Sequence, residues 1–205
     1  EVLLSDGKAE KKLKLYEIDR QENYSYETAI LMLPQDLLKQ DCFSFGDLLK
    51  IMKRLRDKDG CPWDKAQTHS SIKMNAVEEA YELIEAIDNN DTEAMKEESG
   101  DILLQTVFQS CIAEEFSEFD IYDVLTNLCK KLIFRHSHIF GSDKAAAASD
   151  ALMTWEKNKS IEKGQDTASK SLKDVAKTFP ALTRAEKVQK RAAKHGFDFI
   201  DIQDI

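Results

Sequence analysis

The chain has 205 residues, 42% hydrophobic and 33% charged, with only 7 glycines and 3 prolines. That is the composition of a folded, helix-rich globular protein and excludes a disordered or collagen-like chain. A net charge of −9 removes indiscriminate nucleic-acid binding through a basic face; an anionic ligand would need a metal ion or a local basic cluster.

In chain order, "KLKLYEID" (12–19) and "SYETAILML" (25–33) read as short extended pieces, and "LPQDLLKQD" (33–41) as a linker. The region is too short for a core of its own. From Phe43 the period becomes helical. Phe45, Leu48, Leu49, Met52 and Leu55 form one apolar stripe, which ends where Gly60 and Pro62 break the helix. "CPWDKAQTH" (61–69) follows as an ordered connection, with Trp63 expected as a core plug and Lys65, Gln67 or His69 near a pocket.

Further helices are expected over roughly 71–88, 92–115, 121–135 and 149–163. The tail regains helical character over 171–197 on either side of Pro180. The absence of long strand patterns after residue 43 predicts an all-α antiparallel bundle. Cys42, Cys61, Cys111 and Cys129 form no C-x-x-C pair, so neither a zinc ribbon nor a thioredoxin site is expected. With no stretch of membrane-spanning length, reduced thiols in a cytoplasm and no membrane partner are the expectation.

The segment "EEAYELIEAIDNNDTEAMKEESGD" (78–101) carries two acidic clusters on either side of "DNND". Asn90 is expected to cap the second helix, with Glu93 as its capping-box partner. A short loop makes the two helices antiparallel neighbours, so facing residues have a constant positional sum. Glu79 with Asp101, and Glu82 with Glu98, both sum to 180. Within each helix the pairs are three apart and share a face. Four carboxylates therefore converge on one patch, where mutual repulsion and desolvation make sense if a cation sits there. The donors are all oxygen and no His is among them, which suits Mg²⁺, with Mn²⁺ as the alternative. Gly100 costs about 1 kcal/mol in a helix interior and leaves clearance beside the patch. The competing reading is a solvated acidic face, to which Glu85, Glu93 and Glu97 belong in any case.

"KKLIFRHSHIF" (130–140) is the densest basic and aromatic stretch. Lys131 and Arg135 share a helix face, His136 follows, and together they suit phosphate. The same residues also read as a helix end with cations matched to its dipole. The H-x-H pair lacks a third zinc ligand. "WEKNKSIEK" (155–163) offers Trp155 and Lys159 to clamp a base or a phosphate, or is an ordinary amphipathic helix. No Walker A, G-x-G-x-x-G or nucleophile-elbow motif is present.

Glu78-Glu79-x-x-Glu82 followed by Glu98-x-x-Asp101 resembles the signature of the MazG family of nucleoside triphosphate pyrophosphohydrolases. "GCPWDKAQTH", "ESGDILLQTVF", "KLIFRHSHIF" and "WEKNKSIEK" stand where that family has closely similar stretches. Ser137 stands where the family usually has Pro, and Phe134 where it has Arg. The resemblance covers roughly residues 43–163. The head resembles the end of a tetrapyrrole methylase domain, and the tail a link towards a second MazG repeat. The layout expected is therefore a fragment of a two-domain protein: a methylase-like remnant and linker at 1–42, a MazG-like domain at 43–163 and a helical tail at 164–205.

The resemblance implies an oligomeric all-α fold, a homodimer or higher, that converts a nucleoside triphosphate (NTP) and water to the monophosphate and pyrophosphate in nucleotide-pool house-cleaning. It implies catalytic roles for Glu78, Glu79, Glu82, Glu98 and Asp101, metal ligation by the last four, and substrate binding by Lys131, Arg135, His136, Trp155 and Lys159. The competing class is a non-catalytic helical oligomerisation or nucleotide-binding regulatory module.

Overall fold

The structure, a computed structural model, describes residues 2–5, 9–21, 24, 27–32, 37–165 and 167–198. Parts of the "SYETAILML" and "LPQDLLKQD" readings, at 25–26 and 33–36, lie outside them. The chain divides into two compact units, Glu1–Glu118 and Phe119–Ile205. Helices dominate the described residues, as expected.

The first unit opens with a small antiparallel sheet: β1 (Val2–Ser5), β2 (Glu10–Leu13) and β3 (Ala29–Met32), in the order β2-β1-β3. Leu3 of central β1 pairs with Lys12 on one side and Leu31 on the other. Val2, Leu4 and Leu13 bury together with Ile18 packed against them. The head thus builds a small apolar cluster, which its shortness had argued against; cross-strand pairing brings together residues that are far apart along the chain.

Helix α1 (Phe45–Arg56) starts at a capping box. Ser44 Oγ accepts from the Asp47 amide and Asp47 Oδ2 accepts from the Ser44 amide. The Asp47 carboxyl is lowered to about 2, first by the Ser44 hydroxyl and then by the Lys50 ammonium. Of the predicted stripe, Leu49 and Met52 are buried, while Phe45 and Leu55 are exposed. The helix ends as expected: Gly60 lies so close to its last turn that a Cβ would collide with the Leu55 and Arg54 carbonyl oxygens. Pro62 then begins α2 (Pro62–Ala66), a short helix hidden inside the expected connection, because Pro at the first helical position starts a helix as readily as it ends one. Trp63 is not a core plug. It is 61% exposed, since a five-residue helix presents it outward. The burying role falls to Arg56, whose guanidinium contacts the Asp64 and Gln67 carbonyls, Glu115 and the Phe108 ring.

Helix α3 (Asn75–Asp88) begins four residues later than expected, and α4 (Thr92–Glu115) matches its predicted span. The turn between them corrects the predicted cap. Asn90 has φ 54°, and its amide donates to Ile87 O while the Asp91 amide donates to Ala86 O, each at 3.0 Å. This is a Schellman closure with Asn in the left-handed position. Asp91 is the N-cap, its Oδ1 accepting from the Glu93 and Ala94 amides. Helix α4 is buried from Gln105 through Ala113, apart from exposed Thr106 and half-buried Gln109, and open in its N-terminal half. Its C-terminal half therefore anchors the hairpin and its N-terminal half presents side chains to solvent.

In the second unit, α5 (Ile121–Arg135) has the predicted span, α6 (Ser137–Phe140) is a single turn, and α7 (Ala148–Glu162) carries Trp155 and Lys159. The tail forms α8 (Ala168–Lys173) and α9 (Ala181–Ala193), with Pro180 as the N-cap of α9. Among the described residues of this unit, Ile121 and Val175 are the buried apolar ones, joined by buried Arg135 and Asn158.

Because Asp91 supplies two of the first-turn acceptor bonds of α4, Asp91→Ala is expected to cost about 1 kcal/mol. Urea unfolding checks this as a lower midpoint with an unchanged slope.

Candidate active site

The tight turn at Asn90–Asp91 sets the register of α3 against α4, and the register brings the acids together. One carboxylate oxygen each from Glu79, Glu98 and Asp101 lies within 4.8 Å of the others, and all three residues are half-buried. Glu82 is exposed, and its charge adds to what raises Glu79 and Glu98. The two pairs that sum to 180 thus meet on one patch. Glu78 is exposed and outside the converging group.

The patch resists ionisation. Glu79 is raised above the ordinary glutamate range by burial first, then by Asp101, Glu82 and Glu98. Glu98 is raised by burial first, then by Glu82, Glu97 and Asp101. Glu98 Oε2 is shut off from solvent with no hydrogen-bond partner. Four acids with one orphaned oxygen and no nitrogen or sulfur donor form a set that fits a hard divalent cation. Gly100 faces open space: nothing lies within 4 Å of where its Cβ would stand. Among the described residues nothing fills the clearance, so the gap is left beside the acids.

The residues of 61–69 form a network of their own. Lys65 donates to Lys58 O, Gln67 Nε2 to Trp63 O, and Ser71 Oγ to Gln67 Oε1. His69 pairs with Gln109 of α4. These bonds hold the connection against the hairpin's anchored half.

In the second unit, Arg135 is buried, its Nε donating to Glu162 Oε2 at 2.7 Å, and its Cζ stands 5.2 Å from the Trp155 ring centroid. Lys159 Nζ stands 4.5 Å from the same centroid. Trp155 therefore holds two cations rather than offering free faces to a base. The Lys159 ammonium is drawn below the ordinary lysine pKa by burial first, then by Arg135, Lys163, Arg191 and Lys194. His136 Nδ1 donates to Leu132 O at 2.7 Å, which closes α5. Lys131 lines an open cleft of about 700 Å³ with Val124, Leu128, Phe134 and Glu162. Ser137, the departure from the family's Pro, is used: its Oγ accepts from Asn158 at 2.7 Å and donates to Asp143 at 2.6 Å. Sequence reading missed Asn158, whose Nδ2 also bonds Phe134 O; an Asn in a helix interior was the available signal. It also missed Arg191 and Lys194, for which the sequence held no local signal.

The fold and the patch define a class: a mostly helical protein whose helical hairpin gathers four acids on one surface. Residues 67–140 match the family model described as the MazG nucleotide pyrophosphohydrolase domain. It is 42% identical over 168 residues to the nucleoside triphosphate pyrophosphohydrolase/pyrophosphatase MazG of Thermotoga maritima, covering 82% of this chain and 64% of that protein. It is 42% identical over 153 residues to a nucleoside triphosphate pyrophosphohydrolase of Escherichia coli, covering 74% and 58%. An uncharacterized protein of Bacillus subtilis, YabN, is 42% identical over 187 residues, covering 91% of this chain and 38% of its own length. The chain thus spans less than two thirds of each of these relatives. A crystal structure of a MazG-related protein from Thermotoga maritima aligns with a TM-score of 0.48 at 25% identity, covering 56% of this chain and 97% of that one.

Raised carboxylate pKa values favour the fold in acid and withdraw that contribution as pH rises through them. Glu98→Gln is therefore expected to raise the melting temperature of the metal-free protein near neutrality and to leave it unchanged in acid. The same change is expected to abolish the stabilisation that millimolar Mg²⁺ confers on the wild type. Melting curves in EDTA and in Mg²⁺, at pH 4 and pH 7.5, check both.

Proposed function

We propose that the chain hydrolyses nucleoside triphosphates to the monophosphate and pyrophosphate, with residues 43–163 as the working domain. The carrying observation is the convergence of Glu79, Glu82, Glu98 and Asp101 around an orphaned carboxylate oxygen. The match to the MazG model over 67–140 and the relatives named as pyrophosphohydrolases support the reading.

Glu79, Glu82, Glu98 and Asp101 would hold Mg²⁺, with Mn²⁺ as the alternative. The ion supplies charge compensation for phosphate oxygens. Lys131, Arg135 and Lys159 of the second unit are the candidates for binding phosphate, Arg135 from its fixed bond to Glu162. His136, the C-cap of the helix that carries Lys131 and Arg135, is a further candidate. Trp155 holds the two cations at its ring and positions them. An acid of the patch orients the attacking water, or Glu78, which stands outside the converging group. The water oxygen bonds to the α-phosphorus, the bridging bond to the β-phosphate breaks, and the proton passes to the orienting carboxylate. Pyrophosphate leaves with the bridging oxygen.

A homodimer or higher assembly forms part of the reading. Val77, Tyr81 and Ile84 recur at helical spacing on α3 and are all exposed, an apolar face that a second copy would cover. House-cleaning of the nucleotide pool in a cytoplasm is the setting proposed. All four cysteines are free and no described helix is long and apolar enough to cross a membrane.

Losing an outer-shell partner at a metal site typically costs about 10–100-fold, so Glu82→Gln is expected to lower pyrophosphate release at least about 100-fold while far-UV circular dichroism stays that of the wild type. Near-normal turnover would remove the acids from the chemistry. Lys131→Ala is expected to raise KM for the triphosphate with a smaller effect on kcat; an unchanged KM in steady-state assays returns Lys131 to the surface. A regulatory module that binds nucleotide without turning it over would show binding and no pyrophosphate with any NTP.

A further inference from the structure

Five cations of the second unit bear on one another: Arg135 and Lys159 share the Trp155 ring, and the charges of Lys163, Arg191 and Lys194 add to that of Arg135 in drawing the Lys159 pKa down. Three carboxylates face them and each is taken. Glu162 holds Arg135, Asp174 holds Lys163 and lies 3.8 Å from Arg191, and Glu156 holds Lys194. Lys159 has no acidic partner among the described residues. The Trp155 ring holds it instead, 4.5 Å from its ammonium, and a ring positions a cation without neutralising it.

Two of the five cations come from the tail, which sequence reading assigned to a link. They are held differently. Arg191 is pinned between the Ser171 carbonyl and Asp174. Lys194, just past the end of α9, makes a single ion pair with Glu156 of α7, and both side chains are about half exposed. Such a pair is weak, and Glu156 lies one helical turn before Lys159. An anion arriving at Lys159 therefore competes with Glu156 for the Lys194 ammonium.

The geometry points to the tail helix as a working part of the phosphate site, with Lys194 exchanging Glu156 for the outer phosphate of a polyphosphate chain already held at Lys159. The inference rests on the reading that Lys159 meets phosphate. Lys194 then discriminates by chain length. A polyphosphate reaches both ammonium groups, whereas an isolated phosphate reaches Lys159 alone. Glu156 serves as the internal counter-anion that keeps Lys194 folded onto α7 until the ligand arrives.

Calorimetric titration of inorganic tripolyphosphate into the full chain, in EDTA so that the acidic patch holds no metal, tests this without turnover. Lys194→Gln is expected to weaken tripolyphosphate binding about tenfold and to leave orthophosphate binding unchanged. Glu156→Gln is expected to tighten tripolyphosphate binding, because it releases Lys194. Lys187→Gln, on the same helix but placed over the Phe179 ring, is expected to change neither. If Lys194→Gln and Glu156→Gln weaken binding together, the pair is a structural latch and the proposal falls. If Lys159→Gln abolishes binding while Lys194→Gln leaves it within twofold, the tail is outside the site. If the wild type does not bind tripolyphosphate, the anion site itself is lost. Absence of pyrophosphate release with the titration intact would instead fault the hydrolytic reading alone.

Discussion

The geometry of the acidic patch depends on one turn. Asn90 in the left-handed conformation and Asp91 as the following cap leave the chain no freedom to slide α3 along α4. A helical hairpin with a longer loop could relieve four crowded carboxylates by a small shift in register. Here the Schellman bonds to Ala86 and Ile87 and the buried half of α4 oppose that relief. The hairpin therefore stores repulsion among Glu79, Glu82, Glu98 and Asp101, and folding energy from elsewhere in the unit sustains it.

The second unit handles charge of the opposite sign by another device. A carboxylate partner fixes a cation and also cancels it, as Glu162 does for Arg135. An aromatic face fixes a cation and leaves its charge available. Trp155 does this for Lys159 while also packing Arg135. Asn158 and Ser137 add a neutral brace at the end of α5, where a Pro in place of Ser137 would offer no hydroxyl. The departure from the family's usual residue thus exchanges backbone stiffness for side-chain hydrogen bonds.

The helices with a capping residue and a sustained apolar period were legible in the sequence, and α4 and α5 match their predicted spans. The converging acids were legible too, because positional sums in a short hairpin survive a small error in the cap. Asn90 and Asp91 are both good capping residues, and only the backbone conformation distinguishes them. Elsewhere local signals misled. Pro62 marks the end of one helix and also the start of the next. Trp63 looked like a core residue by type, yet a five-residue helix could not turn it inward. The cations that the tail brings towards Lys159 were beyond sequence reading, since Arg191 bonds Ser171 20 residues away, Lys194 pairs with Glu156 38 residues away, and no periodicity links them.

The chain's two tryptophans fall one in each compact unit. Trp63 stands in solvent, and Trp155 lies half-buried between a guanidinium and an ammonium. The protein therefore carries two intrinsic fluorophores in different settings, one open to solvent and one beside two cations. Iodide is drawn towards the cations around Trp155 and caesium is repelled from them, so a pair of ionic quenchers separates the emission of the two halves. With that separation, the unfolding of each unit is read from its own indole, with no label added.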